Sequence, residues 1–171
     1  DTITKREEKN IKTVRALGKE AEKQLAPWNS AVAKIKPLLI DGKCARTADL
    51  TDDEKEAVRD MFLLTMKPTL YVANVDEDTV AEGTNDYVKI VEKYAAEEKS
   101  EVIVICGKFE ADLAEITDPA DRKDSMDNVG LKESGLAVLA RKAYHLMGLR
   151  TFFTGGPDEC RAWTIHAGDK A

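Results

Sequence analysis

Cysteine is scarce and unpaired in this sequence. Cys44, Cys106 and Cys160 are odd in number and widely spaced, and no Cys-x-x-Cys occurs. That pattern indicates neither a disulfide framework nor a zinc site, and it fits a reducing, cytoplasmic compartment. Long hydrophobic runs are also lacking: nothing approaches the roughly 18 apolar residues of a membrane helix, so no membrane partner is expected. The opening stretch, Asp1 to Lys9, is charged, has no signal-peptide core and no initiator Met, a hint that it is not a natural start. There is no basic excess. A net charge of −6 and a pI near 5.1 argue against a nucleic-acid grip by the whole surface, because phosphate binding needs a basic face. Histidine is limited to His145 and His166. Neither lies near a Ser or Cys in a triad arrangement, and His145 reads as a cation at a helix C-terminus or a packing residue. No Gly-x-x-x-x-Gly-Lys-Ser/Thr occurs, so the phosphate cradle and the hydroxyl that would hold Mg²⁺ are absent.

What remains is a globular composition, 43% hydrophobic and 34% charged over 171 residues, enough for one ordinary domain or pieces of two. Residues 1–43 are rich in Lys, Glu and Ala, good helix formers. Ile11 and Val14, then Ala21, Leu25, Trp28, Val32, Ile35 and Leu39, recur at steps of three and four, a heptad-like seam. Gly18 interrupts that seam. Either one long helix with a weak point or an antiparallel hairpin fits, and the hairpin is preferred because each half alone is marginal in water. Pro27 and Pro37 should kink or shorten the second helix. Thr51-Asp52-Asp53-Glu54 has capping-box spacing, opening a helix expected to run to Leu64.

The texture then changes. Residues 69–74 and 101–106 read as short buried parallel strands. Between and after them come helices expected at 85–98, 109–116, 119–127 and 133–147. The inward faces expected are Tyr87, Ile90, Val91 and Tyr94 on the first, and Leu136, Leu139, Ala140, Ala143 and Leu146 on the last. This alternation indicates a parallel α/β layer. Runs at 149–154 and 160–165 around Gly155-Gly156-Pro157-Asp158 read as a hairpin.

Ligands in open α/β sheets bind beyond the carboxyl ends of strands. The first strand ends in Asn74-Val75-Asp76-Glu77 and the second in Cys106-Gly107-Lys108. An Asn offers both a donor and an acceptor to a purine edge, and an acid three residues on accepts from N–H groups. A small residue such as Gly107 lets backbone N–H groups approach a base closely, and the stem of Lys108 can cover a ring face. Taken alone, such residues after a strand are commonly only turn formers. Other features have plain structural readings. Cys106 reads as buried and inert, and Trp28 and Trp163 as packing anchors. The acidic runs at 52–56 and 76–78 read as solvated faces, and the arm's Lys5, Arg6, Lys9, Lys12, Arg15, Lys19 and Lys23 as solvated flanks of the seam.

The stretch from Leu64 to Glu77 (LTMKPTLYVANVDE) resembles the YchF, or Obg-like, family of P-loop ATPases. The stretch from Thr151 to Thr164 (TFFTGGPDECRAWT) resembles the same family at the entry to its TGS domain, and the separation of the two fits. The resemblance implies part of a parallel-sheet P-loop NTPase G domain, an α-helical coiled-coil arm, and the first β-hairpin of a ubiquitin-like TGS domain. The divisions expected are 1–66, 67–148 and 149–171. It also implies ATP rather than GTP, since Asn74-Val75-Asp76-Glu77 stands where Asn-Lys-x-Asp usually reads guanine, with Cys106-Gly107-Lys108 as the other base-side loop. Asn74, Val75, Glu77, Cys106, Gly107 and Lys108 are the candidate base-binding residues. Besides the phosphate loop, the Asp-x-x-Gly switch and the loop before it read as missing. The chain is therefore expected to be a fragment carrying base-side residues but no catalytic ones, inactive alone, with Mg²⁺ belonging only to the full-length protein. Partners implied are a nucleotide, the ribosome or RNA, and a second copy or complementary fragment at an exposed sheet edge. The alternative is a non-catalytic helical arm that binds a ribosomal or protein partner.

Overall fold

The computed structural model describes residues 2–170; Asp1 and Ala171, the outer limits of the first and last expected divisions, lie outside the described residues. The chain forms two compact units, Asp1–Lys67 and Pro68–Ala171.

In the first unit, α1 (Thr2–Leu17) and α2 (Lys19–Ile40) form the preferred hairpin, and a single residue, Gly18, turns the chain. Gly18 has φ 71° and ψ −152°, a region open essentially to glycine alone. Lys36 reaches back to Glu7 at 2.8 Å, as antiparallel pairing requires. The seam on α2 is the expected one, with Ala21, Trp28, Val32 and Ile35 buried. On α1 it is shifted: Ile3 and Asn10 are buried, whereas Ile11 is 52% exposed. The heptad register on α1 had too few apolar residues to fix its phase. Neither Pro27 nor Pro37 shortens α2, which runs through both, and the carbonyl of Pro37 accepts from the Asp41 N–H at 3.0 Å.

The capping box forms as the sequence indicates. Glu54 N–H donates to Thr51 Oγ1 at 3.3 Å, and Thr51 N–H donates to Glu54 Oε2 at 2.8 Å. The helix it opens, α3 (Asp52–Val58), ends sooner than expected, giving way to 3-10 turns at Arg59–Met61 and Leu64–Met66 around Phe62 at φ 47°. Glu54 also departs from the solvated-face reading. It is buried and takes hydrogen bonds from Ser30 Oγ at 2.6 Å and Lys34 Nζ at 2.7 Å. The core of this unit is Trp28, Ala31, Val32, Ile35, Ala45, Val58 and their neighbours.

In the second unit β1 (Leu70–Asn74) and β2 (Glu101–Ile105) pair in parallel, Leu70 opposite Glu101 through Asn74 opposite Ile105. Two helices separate them. The short α4 (Glu77–Glu82), which the sequence reading missed, is capped by Asp76, and α5 (Asp86–Glu97) is capped by Asn85. The buried stripe of α5 is Val88 and Ala95 with Val91 half-buried; Tyr87, Ile90 and Tyr94 lie outward. The expected face was off by one position because aromatic size was taken as a sign of burial. Tyr71 and Tyr94 nevertheless meet edge to face at 6.0 Å, and their hydroxyls donate to the buried Glu98 carboxylate at 2.6 and 3.2 Å.

After β2 come α6 (Gly107–Glu115), α7 (Pro119–Asn128) and α8 (Gly135–Leu146). No residue of α8 is fully buried, and Leu136 and Ala140 face outward against expectation, while Leu139, Ala143 and Leu146 are half-buried. His145 lies in the last turn of α8, as read. β3 (Leu149–Gly155) and β4 (Cys160–His166) form an antiparallel hairpin closed by Gly156 N–H to the Glu159 carbonyl at 2.8 Å. Trp163 is not a buried anchor: it is 44% exposed and donates to Thr154 Oγ1, since a two-stranded ribbon has no second layer to receive it.

Candidate functional site

Parallel pairing in register brings the carboxyl ends of β1 and β2 level, and each strand runs directly into a helix. The four residues from Asn74 to Glu77, three of them candidates, thus take distinct positions. Asn74 is the last strand residue, and Val75 is tied across by its N–H to the Ile105 carbonyl at 2.8 Å. Asp76 is the cap of α4, and Glu77 is that helix's first residue. Cys106, Gly107 and Lys108 are not a loop. Cys106 is the buried cap position of α6, and Gly107 and Lys108 form its first turn.

Two contacts join the strand ends. Gly107 N–H donates to Asn74 Oδ1 at 2.9 Å, and Lys108 Nζ donates to Glu77 Oε1 at 2.9 Å. The first brings the two strand ends close: a Cβ at 107 would stand 3.2 Å from Asn74 Oδ1, tighter than ordinary van der Waals contact. It also fixes the orientation of the Asn74 amide, leaving Nδ2 as its outward donor. The second raises the Lys108 pKa above its ordinary value, chiefly through the Glu77 hydrogen bond. Asp76 is held below the usual carboxylate range, first by its hydrogen bonds with Thr79, which fits a cap rather than a ligand-seeking acid. Beside Asn74 lies a cavity of about 420 Å³ lined by Ala73, Asn74, Val75, Asp76, Asn85, Tyr87, Val88 and Val91.

The structure thus brings together Asn74, Val75, Glu77, Cys106, Gly107 and Lys108. Sequence reasoning missed the supports. Asp76 orients α4 through Thr79 N–H at 2.8 Å, and Asn85 orients α5 through Val88 N–H at 2.8 Å; the Asp-x-x-Thr and Asn-x-x-Val spacings could have shown both. Glu110, buried on α6, accepts from the backbone N–H groups of Gly135 and Leu136 at 2.5 and 3.2 Å. It fastens the start of α8 to the helix that carries Lys108, a contact across 25 residues that no local signal announces. Asp127-Asn128-Val129-Gly130 does carry the Asp-x-x-Gly spacing, contrary to the reading that none occurs. It forms the end of α7, where Gly130 N–H donates to the Asp127 carbonyl at 3.0 Å, so it is a helix terminus and not a phosphate switch after a strand. Among the described residues no group of His, Cys, Asp and Glu is arranged to hold a metal ion, and no helix is long and apolar enough to cross a membrane.

No family model matches the chain. Individual proteins do. The "Ribosome-binding ATPase YchF" of Bacillus subtilis (strain 168) is 40% identical over 165 residues, which is 96% of this chain and 45% of that protein. The protein of the same description from Escherichia coli O157:H7 is 39% identical over 164 residues, again 96% of this chain and 44% of the relative. A solved structure of the Schizosaccharomyces pombe YchF GTPase superposes with a TM-score of 0.86 at 26% identity, covering 99% of this chain and 46% of that one. The chain therefore spans a little under half the length of the relatives it matches.

Proposed function

Taking as premise that this chain belongs to the YchF family over the segment it spans, we propose that its β1 and β2 ends are the base-side part of a nucleotide site, selective for adenine. The fold is that of a partial G domain with a helical arm and a TGS hairpin; within it we assign 1–66 to the arm and its return helix, 67–148 to the G-domain portion and 149–171 to the hairpin. The observation that carries the proposal is the pair of cross-links, Asn74 to Gly107 and Glu77 to Lys108, each at 2.9 Å. They set one amide, one carboxylate and one ammonium at the carboxyl edge of a parallel sheet, where such folds take ligands. Asn74, Val75, Glu77, Cys106, Gly107 and Lys108 form this site. Its ligand is ATP, with the ribosome named by the relatives' descriptions as the macromolecular partner.

Phosphoryl transfer is catalysed almost entirely by positioning and charge neutralisation at the phosphates. The chain has no phosphate loop, so its contribution is recognition: the chain alone hydrolyses no ATP above background, and Mg²⁺ chemistry belongs to the whole protein. The test joins this chain to the remaining portion of the Bacillus subtilis relative and titrates ATP and GTP. Asn74→Ala weakens ATP binding by about tenfold, the cost of one buried hydrogen bond left unmade, and Glu77→Asp with Val75→Lys moves preference toward GTP. An ATP-to-GTP affinity ratio unmoved by the double substitution overturns the assignment.

A second reading, an arm that binds a partner without turnover, is favoured by one observation. A groove of about 770 Å³ runs between α1 and α2, lined by Ile11, Trp28, Val32 and Ile40 among others. Co-sedimentation of residues 1–171 with ribosomes, lost on Ile40→Glu, would support it; unchanged sedimentation counts against it.

A further inference from the structure

We infer that the groove between α1 and α2 is a binding site for a small uncharged molecule with an apolar body and a hydrogen-bond acceptor: two buried nitrogen donors on its lining residues, Asn10 Nδ2 and Trp28 Nε1, have no partner among the described residues. The groove lies wholly within the first unit, and such a site stands whether or not the arm binds a ribosome. Its volume of about 770 Å³ falls within the range of small-molecule pockets, roughly 300–1,000 Å³. Trp28 and Val32 give it packed apolar wall, and Ile11 and Ile40 add exposed apolar surface that an occupant would cover.

Buried donors in folded proteins are nearly always bonded. Here both residues are more than nine-tenths buried, Asn10 at 8% exposure and Trp28 at 4%. An indole N–H and an amide nitrogen only donate, so each lacks an acceptor. Asn10 lies seven residues after Ile3 on the buried side of α1. Coiled coils place a polar residue at such a position to set register, by pairing it across the seam. The Asn10 amide nitrogen has no such partner among the described residues, so register does not account for it. Charge narrows the ligand further. The cation lining the groove is Lys36, and both oxygens of Glu7 already hold it, at 2.8 and 3.1 Å. Asp41 adds a second carboxylate to the lining. An anion would therefore meet more negative charge than positive, and a cation would leave both donors unbonded. A neutral carbonyl oxygen brings two lone pairs and no charge. The Asn10 amide turns easily about its last torsion, so it can follow an acceptor that settles against the groove floor.

The experiment titrates the ¹⁵N-labelled 171-residue chain with acetophenone, with α-methylstyrene, which has the same shape but no acceptor, and with benzoate, which adds a charge. The indole N–H signals are read, that of Trp28 being the one that survives Trp163→Phe. Acetophenone is expected to move the Trp28 signal downfield and saturably, as a hydrogen bond to a carbonyl requires. The Trp163 signal, whose N–H already donates to Thr154 Oγ1, is expected to stay in place. α-Methylstyrene and benzoate are expected to bind at least about tenfold more weakly, a difference of about 1.4 kcal/mol. Asn10→Leu removes one donor and keeps an apolar seam, so it is expected to weaken acetophenone by about tenfold while the chain melts no lower than the native one. A Trp28 signal unmoved by acetophenone overturns the site and leaves the groove to the macromolecular partner of the second reading. α-Methylstyrene or benzoate binding as tightly as acetophenone, or acetophenone binding unweakened by Asn10→Leu, overturns the assigned ligand chemistry.

Discussion

At the scale of single residues, the carboxylates divide by what their oxygens touch. Glu54 accepts from Lys34, Ser30 and the Thr51 N–H, and its pKa is held down to about 2 from 4.5, chiefly by the Lys34 hydrogen bond. A folded-state pKa below the unfolded value stabilises the protein above the unfolded pKa, and that stability is lost as pH falls. The window here runs from about pH 4.5 down to about 2. In a Trp163→Phe background, Trp28 fluorescence reports the first unit alone. Glu54→Gln is expected to lower its denaturation midpoint at pH 7 and to flatten the loss between pH 4.5 and 2; acid profiles that run parallel for the two proteins would refute the linkage. Glu110 acts on neutral donors instead. Glu110→Ala strands the Gly135 and Leu136 N–H groups, and a cost of roughly 1–3 kcal/mol by urea denaturation is expected. A cost under a few tenths would mean water replaces the carboxylate. Gly135 itself leaves no room, since a Cβ would meet Ile105 Cγ2 at 2.7 Å. These contacts explain why the candidate site was only partly legible in the sequence. The strand-end tetrad and triad could be found because both sit where hydrophobic runs stop. Their mutual cross-links, and the role of Glu110, depend on strand register and on helix packing across 25 or more residues, which local patterns do not encode.

At the scale of elements, capping chemistry was readable and orientation was not. Thr51-x-x-Glu54 predicted its own reciprocal bonds, and Gly18 marked the hairpin by interrupting the seam. The outward face of α5 was misjudged, because Val88 and Ala95 bury less area than Tyr87 and Tyr94 would, yet sit closer to the sheet. In a helix packed on only two strands, position decides burial before side-chain size does. The length of α3 was overestimated for a related reason: Phe62 takes φ 47°, a tertiary demand that no propensity reports. The hairpin gives a direct test of its turn. At Gly18 a Cβ would meet no atom within 4 Å, so any penalty is from backbone conformation alone. Gly18→Ala is expected to cost roughly 1–3 kcal/mol in the stability of the first unit, read by the same Trp28 signal. Asn, whose tolerance of positive φ is mostly confined to the left-handed helical region, should not rescue it at ψ −152°. If Gly18→Ala were neutral, the two helices would be joined by some other conformation of the turn.

At the scale of the molecule, the parallel sheet has only two described strands, β1 beside β2. α5 and α8 contact β2, and α5 also contacts β1. Two strands are too few for a sheet to be stable by itself, so the helices supply the burial, and among the described residues no strand lies beside β1 on the side away from β2, which leaves that edge as a template for another strand. Exposed apolar side chains occur in that strand and on the helix that contacts it: Val72 is 43% exposed, and Tyr87 and Ile90 on α5 are more exposed still. An exposed apolar edge of this kind favours pairing with a second chain. The net charge of −6 opposes close approach at low salt, and screening weakens that opposition within a Debye length of about 8 Å at physiological ionic strength. Self-association should therefore rise with salt as well as with concentration, the reverse of an assembly held by ion pairs. Sedimentation velocity at low and physiological salt checks this, with Val72→Lys as the control that puts a charge on the edge strand and should return the chain to monomer. A native chain that stays monomeric across both salt conditions and at high concentration would show that the β1 edge is already covered within one copy.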